Sequence, residues 1–145
     1  MRKAIRTDTA PRPAAAYEQA VVAGDLIFVS GQVANVPSTG TIEATTIEDQ
    51  VTQALRNVEA IVKAAGGDRR SIVRCGVFLS DLAEFAAMNR AYQQFFGDSL
   101  PARTTVEAGL GALRVEIDAI AVRLRTPRLQ RAASKQASGK ARKRR

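Results

Sequence analysis

Two residues carry most of the chain's chemical possibilities, Arg103 and Glu116, both in the stretch PARTTVEAGLGALRVEIDAIAVRL from Pro101 to Leu124. The Arg103 guanidinium stays charged and presents a planar fork that matches a carboxylate. A carboxylate such as Glu116 can hold or activate water, a role worth roughly 10² to 10⁴ in rate. Together they suit a small substrate that carries its own carboxylate beside an electrophilic carbon. Each also has a plainer reading. Arg103 would be one more solvated or salt-bridged arginine, and Glu116 a polar strand position paired with Arg114. Cys75 lies between Arg74 and Gly76 and reads as an inert core thiol. Reactivity needs a lowered pKa in an exposed basic setting, and the chain has no histidine to serve as a base. One cysteine without histidine also argues against a structural zinc site, an iron–sulfur cluster or an internal disulfide. No glycine-rich loop has phosphate-binding spacing, so neither metal nor cofactor is expected.

The elements that must position these residues follow from local pattern. Pro101 stops the preceding helix and biases Leu100 toward an extended conformation. Arg103 to Val106 suits a strand, and Gly109 and Gly111 allow a turn. From Leu113 the sequence alternates, with Leu113, Val115, Ile117 and Ala119 on one face and Arg114, Glu116 and Asp118 on the other. Ile120, Val122 and Leu124 then make the second face apolar, which predicts cover on both sides at that end. The reading is two neighbouring strands, with Arg103 and Glu116 facing a common pocket. Upstream, Lys3 to Arg6 reads as a first strand. Tyr17 to Val22 and Leu26 to Ser30 read as a hairpin, and Gly31 marks a bend or a close approach. Thr45 and Glu48 suggest a capping box, followed by a helix with Val51, Leu55, Val58, Val62 and Ala65 in one stripe. Ser71 to Ser80 is strand-like. Asp81 and Glu84 suggest a second capping box, before a helix with Phe85, Met88, Tyr92 and Phe95 or Phe96 on one face. The order ββ(β), α, β, α, ββ predicts an α+β domain with two helices on one face of a mostly antiparallel sheet.

The length of 145 residues fits one domain. The net charge of +8 is unevenly placed. Residues 126–145 hold eight Lys or Arg and no acid, which leaves 14 basic residues to balance 14 acidic ones in residues 1–125. The domain is therefore read as 1–125 and the tail, 126–145, as basic and disordered. Such a tail attracts phosphates, though it has no aromatic for base stacking. The alternative is a solvated solubility tail. No signal peptide or membrane-spanning run is seen, so the expected location is the cytoplasm, with no membrane partner.

Three motifs, in order, carry a resemblance: FVSGQVA at Phe28 to Ala34, FAAMNRAYQQFF at Phe85 to Phe96, and the PARTT to AIAVRL stretch. They resemble the Rid (YjgF) family of reactive imine deaminases from about Ile5 to Leu124. The resemblance implies a chorismate-mutase-like fold and a homotrimer with active sites in the clefts between subunits. It implies cofactor-independent hydrolysis of small 2-imino or enamine acids to 2-keto acids and ammonia. It implies Arg103 and Glu116 as catalytic residues, with Tyr17, Ser30, Gly31, Arg103 and Thr105 binding substrate. In this scheme the Thr105 carbonyl accepts from the imine nitrogen, and Asn89 fixes structure. Two places depart from the family pattern: Ala15-Ala16 replaces Gly-Pro before Tyr17, and the turn GLGAL before Glu116 is short. Two other readings remain, an RNA-binding or ribonuclease-like protein using the tail and a holdase-type chaperone.

Overall fold

The computed structural model describes residues 1–124; the basic tail lies outside the described residues. Six strands and two helices form the domain: β1 (Arg2–Ile5), β2 (Ala20–Ala23), β3 (Leu26–Gln32), α1 (Ile47–Ala64), β4 (Ile72–Leu79), α2 (Phe85–Phe96), β5 (Ala102–Glu107) and β6 (Val115–Val122). One sheet has the order β1-β2-β3-β6-β4-β5. Every pairing is antiparallel except β4 with β5, which are parallel and joined through α2. The α+β expectation, with two helices and a mixed, mostly antiparallel sheet, matches the observed architecture.

The core lies between the helices and one face of the sheet. Val51, Leu55, Val58, Ile61 and Val62 from α1 are fully buried with Ile27, Cys75, Val77, Ile117 and Ala121 from the strands. The predicted α1 stripe is this core face. Thr46 rather than Thr45 caps α1, its hydroxyl accepting from the Asp49 N–H at 3.1 Å. Glu48 is thereby free to pair with Arg90 of α2 at 3.0 Å. Before α2, Asp81 caps a short 3-10 turn by accepting from the Ala83 N–H. Glu84 takes no part in a cap and turns to Arg114 instead. Gly97, at φ 57°, ends α2 in a conformation few side chains tolerate.

Two expectations about strands are corrected. Tyr17 is not in a strand: β2 begins at Ala20, because the Gln19 side chain ties the preceding loop to Thr7, Ala10 and Pro11 through their carbonyls. And β5 and β6 are not neighbours. The segment 108–114 crosses the end of β4, with the Ala108 N–H on the Leu79 carbonyl and the Ser80 N–H on the Arg114 carbonyl. This inserts β6 between β3 and β4. The burial patterns explain the choice. Val115, Ile117, Ala119 and Ala121 of β6 are all buried, as suits a central strand, whereas β5 has no buried residue and takes the edge.

The far face of the sheet carries no helix among the described residues. Leu26 and Phe28 of β3 and Val106 of β5 are 41–42% exposed there, beside half-buried Ile120 and Val122. The predicted cover on both sides of the end of β6 is not supplied by the described residues.

Candidate active site

Register decides where the candidate residues point, because partners across a ladder share a face. Arg103 pairs with Cys75, which pairs with Ala119, and both partners are buried under the helices. Thr105, two residues on, aligns with Val77 and Ile117 on the same helix-covered side. Glu116 aligns with Phe78 and Val106, one step out of phase. Arg103 and Glu116 therefore lie on opposite faces of the sheet, with β4 between their strands. The described residues of the chain therefore do not form the expected common pocket.

On the helix side, Arg103 is half-buried against the first turns of α2. Its Nη2 donates to Asn89 Oδ1 at 2.9 Å, and Nη1 lies 4.0 Å from Met88 Sδ. The guanidinium carbon sits 4.6 Å from the Tyr92 ring centre and 5.6 Å from that of Phe85, a cation–π arrangement. Arg103 makes no ion pair with any described residue, so its charge is held in place by neutral groups only. A cavity of about 370 Å³ opens at this point, lined by Asn89, Tyr92, Gln93, Leu100, Pro101 and Arg103. Phe85, expected in the core stripe, is 40% exposed and serves instead as a wall for Arg103.

β5 supplies a second polar feature. It is an edge strand, and the Ala108 N–H bonds to Leu79 on β4. In a parallel ladder both backbone groups of one residue point the same way and alternate along the strand. Continuing that alternation back from Ala108 turns the Thr105 carbonyl outward, to the free edge. The Thr105 hydroxyl is fully buried without a hydrogen-bond partner, as is that of Tyr92. Burial pushes the Cys75 thiol up to about 11, which keeps it protonated and suits the inert reading. Tyr92 is likewise pushed up by burial.

The opposite face holds a separate group. β3 has an irregular register between Val29 and Gln32, where Ser30 and Gly31 sit. The Glu116 carboxylate packs directly over Gly31, so closely that a Cβ at that position would overlap it. This close approach is the physical reason for glycine here. The Ser30 hydroxyl donates to the Glu18 carbonyl at 2.6 Å, and the Ser30 N–H to the Gln19 carbonyl at 3.0 Å. Ser30 thus fixes the loop that carries Tyr17. Tyr17 is 46% exposed, with its hydroxyl accepting from the Ala14 N–H at 3.3 Å. It borders a groove of about 540 Å³ shared with Arg6, Arg12 and Pro13, which includes neither Arg103 nor Glu116. No His, Cys, Asp and Glu cluster suited to a metal occurs among the described residues.

The six sequence-predicted site residues thus fall into groups. Arg103 and Thr105 lie together, Glu116 and Gly31 lie together, and Ser30 anchors the loop of Tyr17. The sequence reading missed Tyr92, Gln93 and Leu100 as cavity lining. The spacing of Asn89, Tyr92 and Gln93 along one helix face is the available signal, but Tyr92 also falls on the core stripe.

Against this geometry, residues 7–123 match the family model described as Endoribonuclease L-PSP. The chain belongs to this family, the Rid (YjgF) family. A RutC family protein of Pyrococcus horikoshii is 41% identical over 123 residues, covering 83% of this chain and 98% of that one. The rat 2-iminobutanoate/2-iminopropanoate deaminase is 39% identical over 124 residues, covering 84% and 90%. Among solved structures, Escherichia coli TdcF with bound serine superposes with a TM-score of 0.79 at 39% identity, covering 84% of this chain and 99% of the other. The similarity of this Rid chain to the rat deaminase thus extends over most of both chains.

Proposed function

We propose that this Rid protein hydrolyses small 2-imino or enamine acids to 2-keto acids and ammonia, without a cofactor. The observation that carries the reading is Arg103: a half-buried guanidinium with no carboxylate partner among the described residues, oriented by Asn89 and Tyr92 beside an open cavity. An unpaired cation in such a place is stabilised by an anionic ligand, and a 2-imino acid supplies one. With the carboxylate on Arg103, the outward Thr105 carbonyl accepts the imine N–H. Water held by a Glu116 carboxylate then adds to C2, its proton passing to nitrogen. The new C2 hydroxyl then passes its proton to the amine, the C–N bond breaks and ammonia leaves, and the 2-keto acid retains the oxygen of water.

Because Arg103 and Glu116 occupy opposite sheet faces, the complete site takes one group from each of two protomers. Arg103 and Thr105 come from one; Glu116, Gly31 and the Tyr17 loop come from its neighbour. The exposed apolar residues Leu26, Phe28 and Val106 supply a face for assembly, and a cyclic homotrimer satisfies both demands. The test is ammonia release from freshly generated 2-iminopropanoate and 2-iminobutanoate, with Arg103→Ala as the control. A wild-type protein no faster than the control would refute the reading.

A second reading is favoured by one observation, the eight basic residues without an acid in 126–145 beside a formally neutral domain. In it the tail binds RNA through phosphate contacts, in keeping with the endoribonuclease description of the matched family.

A further inference from the structure

Arg114 immediately precedes β6, and its contacts reach well beyond that strand. Its guanidinium forks onto both carboxylate oxygens of Glu84, from Nη2 to Oε1 and from Nε to Oε2 at 3.3 Å. Nη1 donates to the Thr45 carbonyl at 2.8 Å, and the Arg114 carbonyl accepts from the Ser80 N–H at 3.0 Å. One residue therefore ties together the loop before α1, the end of β4, the turn before α2 and the start of β6. The pair is only partly shielded, with side chains 35% and 22% exposed. Its hydrogen bond to Glu84 raises the Arg114 pKa further.

What this fork holds matters more than its strength. Glu84 is the residue before α2, and it makes no capping bond to the helix. Phe85, Met88, Asn89 and, one turn on, Tyr92 of that helix are the residues that contact Arg103. At the other end of the fork, Glu116 lies two residues beyond Arg114 on β6. We infer that Arg114 is a positioning residue for the proposed reaction: by fixing Glu84 it sets the first turn of α2, and so the orientation of the Arg103 fork. The inference rests on the deaminase reading of the same site. Its physical basis is that a bidentate carboxylate clamp depends on geometry, so a small rotation of its supports costs binding.

α2 also offers an internal control. Its far end is held by Arg69, which donates to the Phe95 carbonyl at 2.9 Å and pairs with Glu59 of α1. That anchor stabilises the same helix but lies beyond the residues that touch Arg103. The experiment compares Arg114→Ala, Arg114→Lys and Arg69→Ala for melting temperature, and for kcat and KM on 2-iminopropanoate. All three are expected to melt lower. Arg114→Ala should raise KM about ten- to a hundredfold, with a smaller fall in kcat. Arg114→Lys keeps the charge and loses the fork, so its KM should fall between those of wild type and Arg114→Ala. Arg69→Ala should keep the wild-type KM. The double exchange Glu84→Arg with Arg114→Glu should recover part of the lost affinity. If Arg114→Ala does not fold, Arg114→Lys and the double exchange carry the comparison. Wild-type kinetics in all folded Arg114 variants, or an equal KM shift in Arg69→Ala, would overturn the inference while leaving the deaminase reading intact. A wild-type protein that hydrolyses no imine overturns both.

Discussion

Arg103 is held by groups that accept or flank, and none of them neutralises it. If its fork binds the substrate carboxylate, Arg103→Lys keeps the charge but loses the bidentate geometry. Lysine should then be nearly as damaging as alanine. Charge-assisted hydrogen bonds contribute about 1.5–3 kcal/mol each, so kcat/KM should fall by roughly ten- to a hundredfold on losing one. Steady-state kinetics of both variants check this, and a lysine variant at wild-type efficiency would refute the fork. Cys75 gives a second prediction at this scale. Burial moves its thiol from an ordinary value of 9.0 up to about 11, so the folded state holds this proton more tightly than the unfolded one. Its contribution to stability is full below about pH 9 and is lost as pH rises toward 11. Melting temperatures across that window should fall for wild type and fall less steeply for Cys75→Ala. Parallel curves would assign the alkaline loss to other groups, Tyr92 among them. Arg103 stands out in the sequence as a candidate because PARTT resembles a family motif. Its environment was not: a periodic pattern reports which helix face is buried, and says nothing about which buried ring meets a cation.

The strands show the same limit one level up. Alternation in VEIDAIAV identified a strand with two unlike faces, and burial of Val115, Ile117 and Ala119 agrees. The periodicity of both helices was equally readable. Alternation does not name a strand's neighbour, however, and two consecutive strands separated by glycines read naturally as a hairpin. The insertion of β6 beside β3 depends on long-range burial that no local window contains. It is this insertion that brings Glu116 over Gly31 and removes it from Arg103's face. The Ser30–Gly31 irregularity therefore yields an element-scale test. In Gly31→Ala the new methyl displaces the Glu116 side chain, which can swing away without unfolding the sheet. We expect a folded protein with little change in melting temperature and a kcat lower by roughly a hundredfold, the range for a lost acid–base group. A kcat at the wild-type level would mean that the seat over Gly31 is not the working position of Glu116.

At the scale of the molecule, the proposed site, divided between opposite sheet faces, would make activity depend on assembly. Light scattering should give a trimer at micromolar concentration, and dilution to monomer should abolish imine hydrolysis. A fully active monomer would defeat the shared-site arrangement. Removal of residues 126–145 separates the two functional readings. The last described ladder pair, Leu26 with Val122, lies six residues along β6 from Glu116, about 20 Å at the rise of a strand. The truncated protein should therefore keep its deaminase kinetics while losing salt-dependent RNA binding. Undiminished RNA binding at every salt concentration would place that surface on the domain.

The place of β6 in the sheet also bears on how the molecule is made. The strand at the centre of the ladder is the last of the described strands to leave the ribosome, and β3 and β4 have no partner in each other until it arrives. Before β6 arrives, the strand order allows only a β1–β2–β3 meander and a separate β4–α2–β5 unit, each with an unpaired inner edge. Folding is then closed by a single late, long-range insertion, a step that is slow and exposed to aggregation. Nascent chains stalled before Val115 should accordingly be sensitive to protease, and chains released past Leu124 resistant.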